Sequence, residues 1–289
     1  MGPGYEEFFG LAERPFSLTP DPGYIFESRG HRRVLSVLTS ALRRRERFIL
    51  LTGEIGVGKT TLCRKLVPEL RAMGPVGVIA NPLLTPSGLF RLLLEDFGVP
   101  IDSAAHDLGE SPNMFRNRVV AFLNERRSTG AVIIIDEAHA VPVSVVEQLL
   151  LLGALERQRE QPLQLVVIGQ PMLGERGSVG FHALAEHATT KARLLPIGRD
   201  ECEPYLLHRL GIAGGDGGVA FTATAIDLIF EVSNGVPRLI NLVAERALQQ
   251  AALQETRRIG PAVVNAAVAS LELLRGSPRR FRWFSRRVS

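Results

Sequence analysis

Residues 53–61 read GEIGVGKTT, flanked by a short apolar run, FILLTG (48–53), and by a stretch of helical character, 59–73. The string matches G-x-x-x-x-G-K-[ST] throughout. It lies between a predicted strand and a predicted helix, the context that this pattern needs to hold phosphate. Gly53, Gly56 and Gly58 let the backbone turn tightly, so that N–H groups along Gly53, Glu54, Ile55, Gly56, Val57, Gly58, Lys59, Thr60 and Thr61 can face phosphate oxygens. A helix starting at Lys59 adds the positive end of its dipole. Lys59 is placed to reach the β- and γ-phosphates of ATP, and the Thr60 hydroxyl to bind Mg2+. Residue usage singles out that lysine. Lys59, Lys65 and Lys191 are the three lysines among 34 lysines and arginines. Where arginine is the default cation, a retained lysine marks a need for a compact ammonium.

Short apolar runs alternate with helical patterns along the next 150 or so residues. FILLTG (48–53), VGVIAN (76–81), AVIIID (131–136) and LQLVVIG (163–169) read as strands. Helices are expected over 59–73 and near 86–97, 112–127 and 143–156. Strands alternating with helices imply a parallel sheet covered on both faces, an α/β fold. Beyond about residue 197 the strand signals stop, and helices are expected near 200–210, 222–232, 237–252 and 261–275. The expected layout is an N-terminal segment with one helix (1–46), an α/β core (47–197), a small all-helical domain (198–274) and a basic aromatic tail (275–289).

AVIIIDEAHA (131–140) supplies the second half of a site: a buried strand ending in two carboxylates. Asp136 is expected to hold the Mg2+ shell with Thr60, and Glu137 to polarise the attacking water as general base. Alone, such a strand end reads equally as a helix cap; paired with the phosphate loop it reads as a site. His139 is assigned a structural or relay role. Gln170 follows the strand ending VVIG, where it would orient water beside the γ-phosphate or simply face solvent. Arg238 follows Pro237, which suits a first helical turn. It reads either as a group reaching the nucleotide or as a surface arginine.

Composition excludes some classes. No apolar run approaches the roughly 18 residues of a membrane span. The start, MGPGYEEFFG, has no signal-peptide character, and Cys63 and Cys202 lack metal or redox spacing, so the expected location is cytoplasmic. The formal charge is +4, yet residues 275–289 hold six arginines and no acid. Without them the body is slightly acidic, which argues against a folded body that coats DNA by bulk charge; the local patch RRRER (43–47) stands apart.

The chain resembles the AAA+ ATPases of the ExeA/GspA type, the general secretion pathway protein A family. The resemblance is carried by YEEFFGLAERPFSLTPDPGYIF (5–26), HRRVLSVLTSAL (31–42), IGQPML (168–173) and FTATAIDLIFEVSNGVPRLINLVAERAL (221–248). It implies an ATP-dependent homo-oligomer, ring or filament, with the active site between neighbouring subunits. It also implies an N-terminal segment packed near the adenine and Arg238 acting as sensor 2. One stretch departs from the family pattern. LAEHATTKARLLPI (184–197) carries His187 and Lys191 where the family commonly has arginines, with Arg193 two residues on. Lys191 stays cationic but cannot fork onto two oxygens, so slow or partner-stimulated hydrolysis is expected. Three roles follow. The first is an ATPase serving secretion, pilus or exopolysaccharide assembly. The second is a DNA-associated regulator similar to TniB and TnsC. The third is a nucleotide-operated switch with negligible turnover. In relatives with a membrane span, the stretch matching 275–289 precedes it, so the tail is expected as a peripheral contact with anionic membrane at its inner face, or with DNA.

Overall fold

A computed structural model describes residues 4–19, 21–80, 84–101, 112–126, 129–155, 163–171, 179–215 and 218–274. The tail, 275–289, lies outside them. The chain divides into two compact units, Glu27–Leu195 and Met1–Phe26 with Pro196–Ser289.

The first unit is built on a five-stranded parallel sheet. Its strands are β1 (Phe48–Gly53), β2 (Val76–Ile79), β3 (Ala131–Ile135), β4 (Leu163–Gly169) and β5 (Thr190–Leu194), in the order β2–β3–β4–β1–β5. Both faces are covered, which explains the near-continuous apolar runs of the central strands. Ile49, Leu51, Ile134, Val166 and Ile168 pack with Val34, Leu38, Leu62 and Leu66, from helices α2 (Arg29–Arg43) and α3 (Lys59–Met73). Leu50, Ile133, Ile135, Leu165 and Val167 face the other way. They meet α4 (Pro86–Asp96), α5 (Pro112–Glu125), α6 (Val143–Leu155) and α7 (Val179–Glu186). Local signals set several helix starts: the Ser28 hydroxyl accepts from the His31 amide, and Thr85 from Gly88, each satisfying an otherwise orphaned donor. Buried Gln164 donates to the carbonyls of Leu42 and Glu46, tying β4 to the end of α2.

Sequence periodicity missed β5. Its residues TKARL alternate exposed and buried, with Ala192 and Leu194 inward and Lys191 and Arg193 outward. An edge strand with charged outer positions lacks the apolar run that marked the interior strands.

The second unit holds α1 (Tyr5–Phe9), α8 (Arg199–Ile212), α9 (Ala223–Ser233), α10 (Pro237–Leu253) and α11 (Pro261–Leu274). The all-helical reading of 198–274 needs one amendment, because Ala220–Phe221 (β6) and Arg258–Ile259 (β7) form a short parallel ladder. The stretch 1–46 is shared between the units. Phe9, Phe16 and Tyr24 are buried against Tyr205, Leu206 and Ile240, whereas Ser28 onward belongs to the sheet unit. Buried Arg209 explains the attachment. It donates to the carbonyls of Pro15 and Ser17 and lies 4.6 Å over the Tyr24 ring. Replacing Arg209 with methionine strands those carbonyls. It should lower the unfolding free energy of this unit by about 2–3 kcal/mol, measurable as a lower urea midpoint.

Candidate nucleotide-binding site

The carboxyl ends of β3, β4 and β1 are neighbours in the sheet, so the segments that follow them meet on one edge. Open parallel sheets bind their ligands at that edge. Three of the sequence-predicted pieces converge there: the loop 53–61 after β1, Asp136 and Glu137 after β3, and Gln170 after β4.

The loop needs its glycines. A Cβ at Gly53 would come within 2.6 Å of the Leu194 carbonyl oxygen, and one at Gly58 within 3.0 Å of the His31 ring. Gly56 and Gly58 also hold φ of 83° and 101°, a region that side-chain-bearing residues avoid. Lys59 opens α3, is 5% exposed, and donates from Nζ to the carbonyls of Gly53 and Glu54 at 2.8 and 2.9 Å. Burial lowers its pKa, opposed by the nearby carboxylates of Glu137 and Asp136. The ammonium is thus held inside the loop by neutral oxygens, the type of partner a phosphate replaces readily.

Thr60 Oγ1 donates to Asp136 Oδ2 at 2.6 Å, and the other carboxylate oxygen accepts the Glu137 amide at 2.9 Å. Asp136 is buried. A hydroxyl and a carboxylate this close form the hard-oxygen pair that Mg2+ takes, with phosphate oxygens and water completing the shell. Among the described residues there is no cluster of three or more His, Cys, Asp or Glu. The Thr60–Asp136 pair itself fits an ion that arrives with a nucleotide, since two protein oxygens leave the rest of a hard-oxygen shell to phosphate and water.

Glu137 adopts φ 48°, ψ 39°, a left-handed conformation unusual outside glycine, and its side chain is 44% exposed. His139 links it to Gln170: Nδ1 lies 3.4 Å from Glu137 Oε2, and Nε2 lies 3.0 Å from Gln170 Nε2. His139 Nδ1 is buried and makes no hydrogen bond among the described residues, so the 3.4 Å approach to Glu137 is a proximity and the bonded contact is the one with Gln170.

The remaining candidates lie elsewhere. Lys191 is opposite Leu50 in mid-strand, Arg193 is opposite Thr52 on the same outer side of β5, and His187 contacts Phe48 at the other end of β1. The structure does not gather these three at one point. Arg238 is exposed in the first turn of α10, within the helical unit. Sequence reasoning missed His31, buried behind Gly58 and bonded to Ser28 Oγ at 2.7 Å; no local pattern marks it, because its neighbour in space is 27 residues away.

A parallel sheet in this strand order, a glycine loop cradling a buried lysine, and a Thr–Asp pair at its mouth define a P-loop protein of the AAA+ class. Residues 42–176 match the family described as AAA domain. The chain is related to general secretion pathway protein A. It is 36% identical to that protein from Aeromonas hydrophila over 256 residues, 88% of this chain, and spans 46% of that relative's length. Solved structures that share the fold include the following three. Cdc6p from Pyrobaculum aerophilum has a TM-score of 0.66 at 18% identity, covering 91% of this chain and 74% of its own. ORC1 from Aeropyrum pernix, in complex with DNA, gives 0.62 at 21%, covering 92% and 73%. The RuvB branch migration motor from Thermotoga maritima gives 0.55 at 21%, covering 89% and 72%. No helix among the described residues is long and apolar enough to cross a membrane.

Proposed function

We propose that this chain binds ATP with Mg2+ and hydrolyses it slowly or on partner stimulation, as an oligomer that powers or regulates assembly of a secretion or envelope system. The observation that carries the reading is the buried Lys59 cradled by Gly53 and Glu54 beside the Thr60–Asp136 pair. Lys59 binds the β- and γ-phosphates in place of the two carbonyls. Thr60 and Asp136 hold the ion, which neutralises phosphate charge when bound. Glu137 accepts a proton from the attacking water, and Gln170, steadied by His139, orients that water. The likeness to general secretion pathway protein A supports the secretion setting.

The test is nucleotide titration followed by single-turnover hydrolysis with the purified chain. Micromolar ATP binding with Mg2+-dependent phosphate release supports the reading, and absence of binding removes it. Gln170→Ala should leave affinity unchanged and slow phosphate release by about tenfold or more. An unchanged rate would return Gln170 to a solvent-facing role. If wild type and Glu137→Gln hold ATP equally long, the chain is a switch and not a motor.

A second reading, a DNA-associated regulator, is favoured by Arg44, Arg45 and Arg47 clustered at the sheet edge opposite the phosphate loop. ATP-dependent DNA retention that weakens steeply with salt would support it. For residues 275–289 the proposed role is peripheral contact with anionic lipid. Co-sedimentation with anionic vesicles should fall when the chain is cut after Leu274, and equal binding would discard the contact.

A further inference from the structure

Helix α2 carries a polar ring on its apolar face. His31, Val34 and Leu38 follow one another at helical spacing and all three are buried, yet only the last two are apolar. A buried polar group is costly unless it is hydrogen-bonded. Here the Ser28 hydroxyl, itself 1% exposed, lies 2.7 Å from His31 Nδ1. The same oxygen accepts from the His31 amide at 3.2 Å and so caps the helix. Ser28 thus fixes both the backbone and the ring of one residue.

The ring so fixed stands against the phosphate loop. A Cβ at Gly58 would meet His31 Nε2 at 3.0 Å and Cε1 at 3.8 Å, so the ring edge closes off the space beside the glycine's α-carbon. Gly58 holds φ 101° and ψ 19° and immediately precedes α3. The first amides of a helix have no partner within it and can face an incoming anion. The backbone at Gly58 therefore sets where those amides of α3 point.

A loop that needs Gly53, Gly56 and Gly58 to make its turns has much freedom to surrender, because glycine loses more on ordering than any other residue. Two contacts with α2 restrain it. Val57 is fully buried in the apolar cluster that holds Val34 and Leu38, and His31 backs Gly58. Leucine at position 31 would complete the apolar stripe of α2 at no polar cost. Histidine supplies instead a flat ring whose orientation is set by a hydrogen bond, which an aliphatic side chain cannot offer.

We propose that His31 is a positioning residue for nucleotide binding: oriented by Ser28, its ring braces Gly58 in the left-handed conformation, so the loop is shaped before a phosphate arrives. The inference rests on the ATPase reading above. His31 acts through Gly58 and not on the phosphates. A loop shaped in advance need not be ordered at the moment of binding, which lowers Kd without favouring the transition state over bound ATP. Loss of the brace should weaken binding about tenfold, the cost of ordering one residue's backbone, and leave hydrolysis of bound ATP nearly unchanged.

The test compares four variants of the full chain by ATP titration with Mg2+, thermal melting and single-turnover hydrolysis at saturating ATP. His31→Asn keeps a polar atom near Ser28 but is too short to reach Gly58, whereas His31→Gln extends an amide to where Nε2 stands. The asparagine variant should raise Kd about tenfold and the glutamine variant no more than about threefold. Ser28→Ala frees the ring, and Thr85→Ala removes an equivalent cap from α4, which follows β2, three strands from β1 in sheet order. Both should lose a similar amount of Tm, but only Ser28→Ala should bind ATP about tenfold more weakly. Saturated rates should stay within about twofold of wild type throughout. If His31→Asn and His31→Gln bind alike, or Ser28→Ala binds as Thr85→Ala does, the brace is overturned and the ATPase reading stands. A saturated rate that falls together with affinity also overturns the brace. Should His31→Asn fail to fold, the two cap variants decide. A wild-type chain that binds no ATP overturns both readings, and one that binds without hydrolysing is judged on the affinities.

Discussion

Lys59→Ala should abolish ATP binding while leaving the protein folded. The ammonium is nearly sealed inside the loop, and its removal leaves the loop's backbone N–H groups without the one cationic side chain the loop contributes. Loss of one partner from such a charged contact costs about 3 kcal/mol or more, on the order of a hundredfold in Kd. The fold itself should not suffer. Burial lowers the Lys59 pKa, so below its folded pKa the protonated side chain costs the empty protein stability. That cost fades as pH rises through the folded pKa to the ordinary lysine value. Alanine removes it at neutral pH. Thermal melts should therefore show an unchanged or slightly raised Tm without nucleotide, and no rise when ATP and Mg2+ are added. Wild type at a hundredfold excess of ATP over Kd should gain about 2.7 kcal/mol. A Lys59→Ala chain that still shows the ATP-dependent rise would mean that the loop is misassigned.

Glu137→Gln should give the opposite phenotype, tight binding with stalled hydrolysis. Asp136 is oriented by the Glu137 backbone amide and by Thr60, not by the glutamate side chain, so an isosteric amide leaves the ion-holding pair intact. What is lost is a base near the attacking water, and proton transfer of that kind contributes about 10²–10⁴-fold. Single-turnover phosphate release should fall by that factor with Kd within about threefold of wild type, and ATP-dependent assemblies should persist instead of dissolving. A parallel loss of binding and turnover would place Glu137 in the ion shell.

Much of the site was legible because its chemistry is written in contiguous residues. Glycines 53, 56 and 58, Lys59 and Thr60 form one string, and Asp136 and Glu137 follow directly on an apolar strand. The central strands could be found because burial on both faces demands unbroken apolar runs, and the helices because apolar residues recur along them at helical spacing. The contact between Gln170 and His139 was not legible, since it joins residues 31 positions apart that meet only when β3 and β4 lie side by side.

By itself, then, the sequence determined that a phosphate loop and a pair of acids would stand at strand ends in an α/β core, because those features depend on backbone freedom, side-chain type and local pattern. Tertiary structure alone decided three things. It set the order β2–β3–β4–β1–β5, which brings the loop and the acids to one edge. It assigned residues 4–26 to the helical unit, through Arg209 and the backbone of Pro15, 194 residues away. And it stationed Arg45 and Arg47 at the far end of β1 from the phosphate loop. Each is a long-range pairing, and no short stretch of sequence carries the information about which distant surface will cover it.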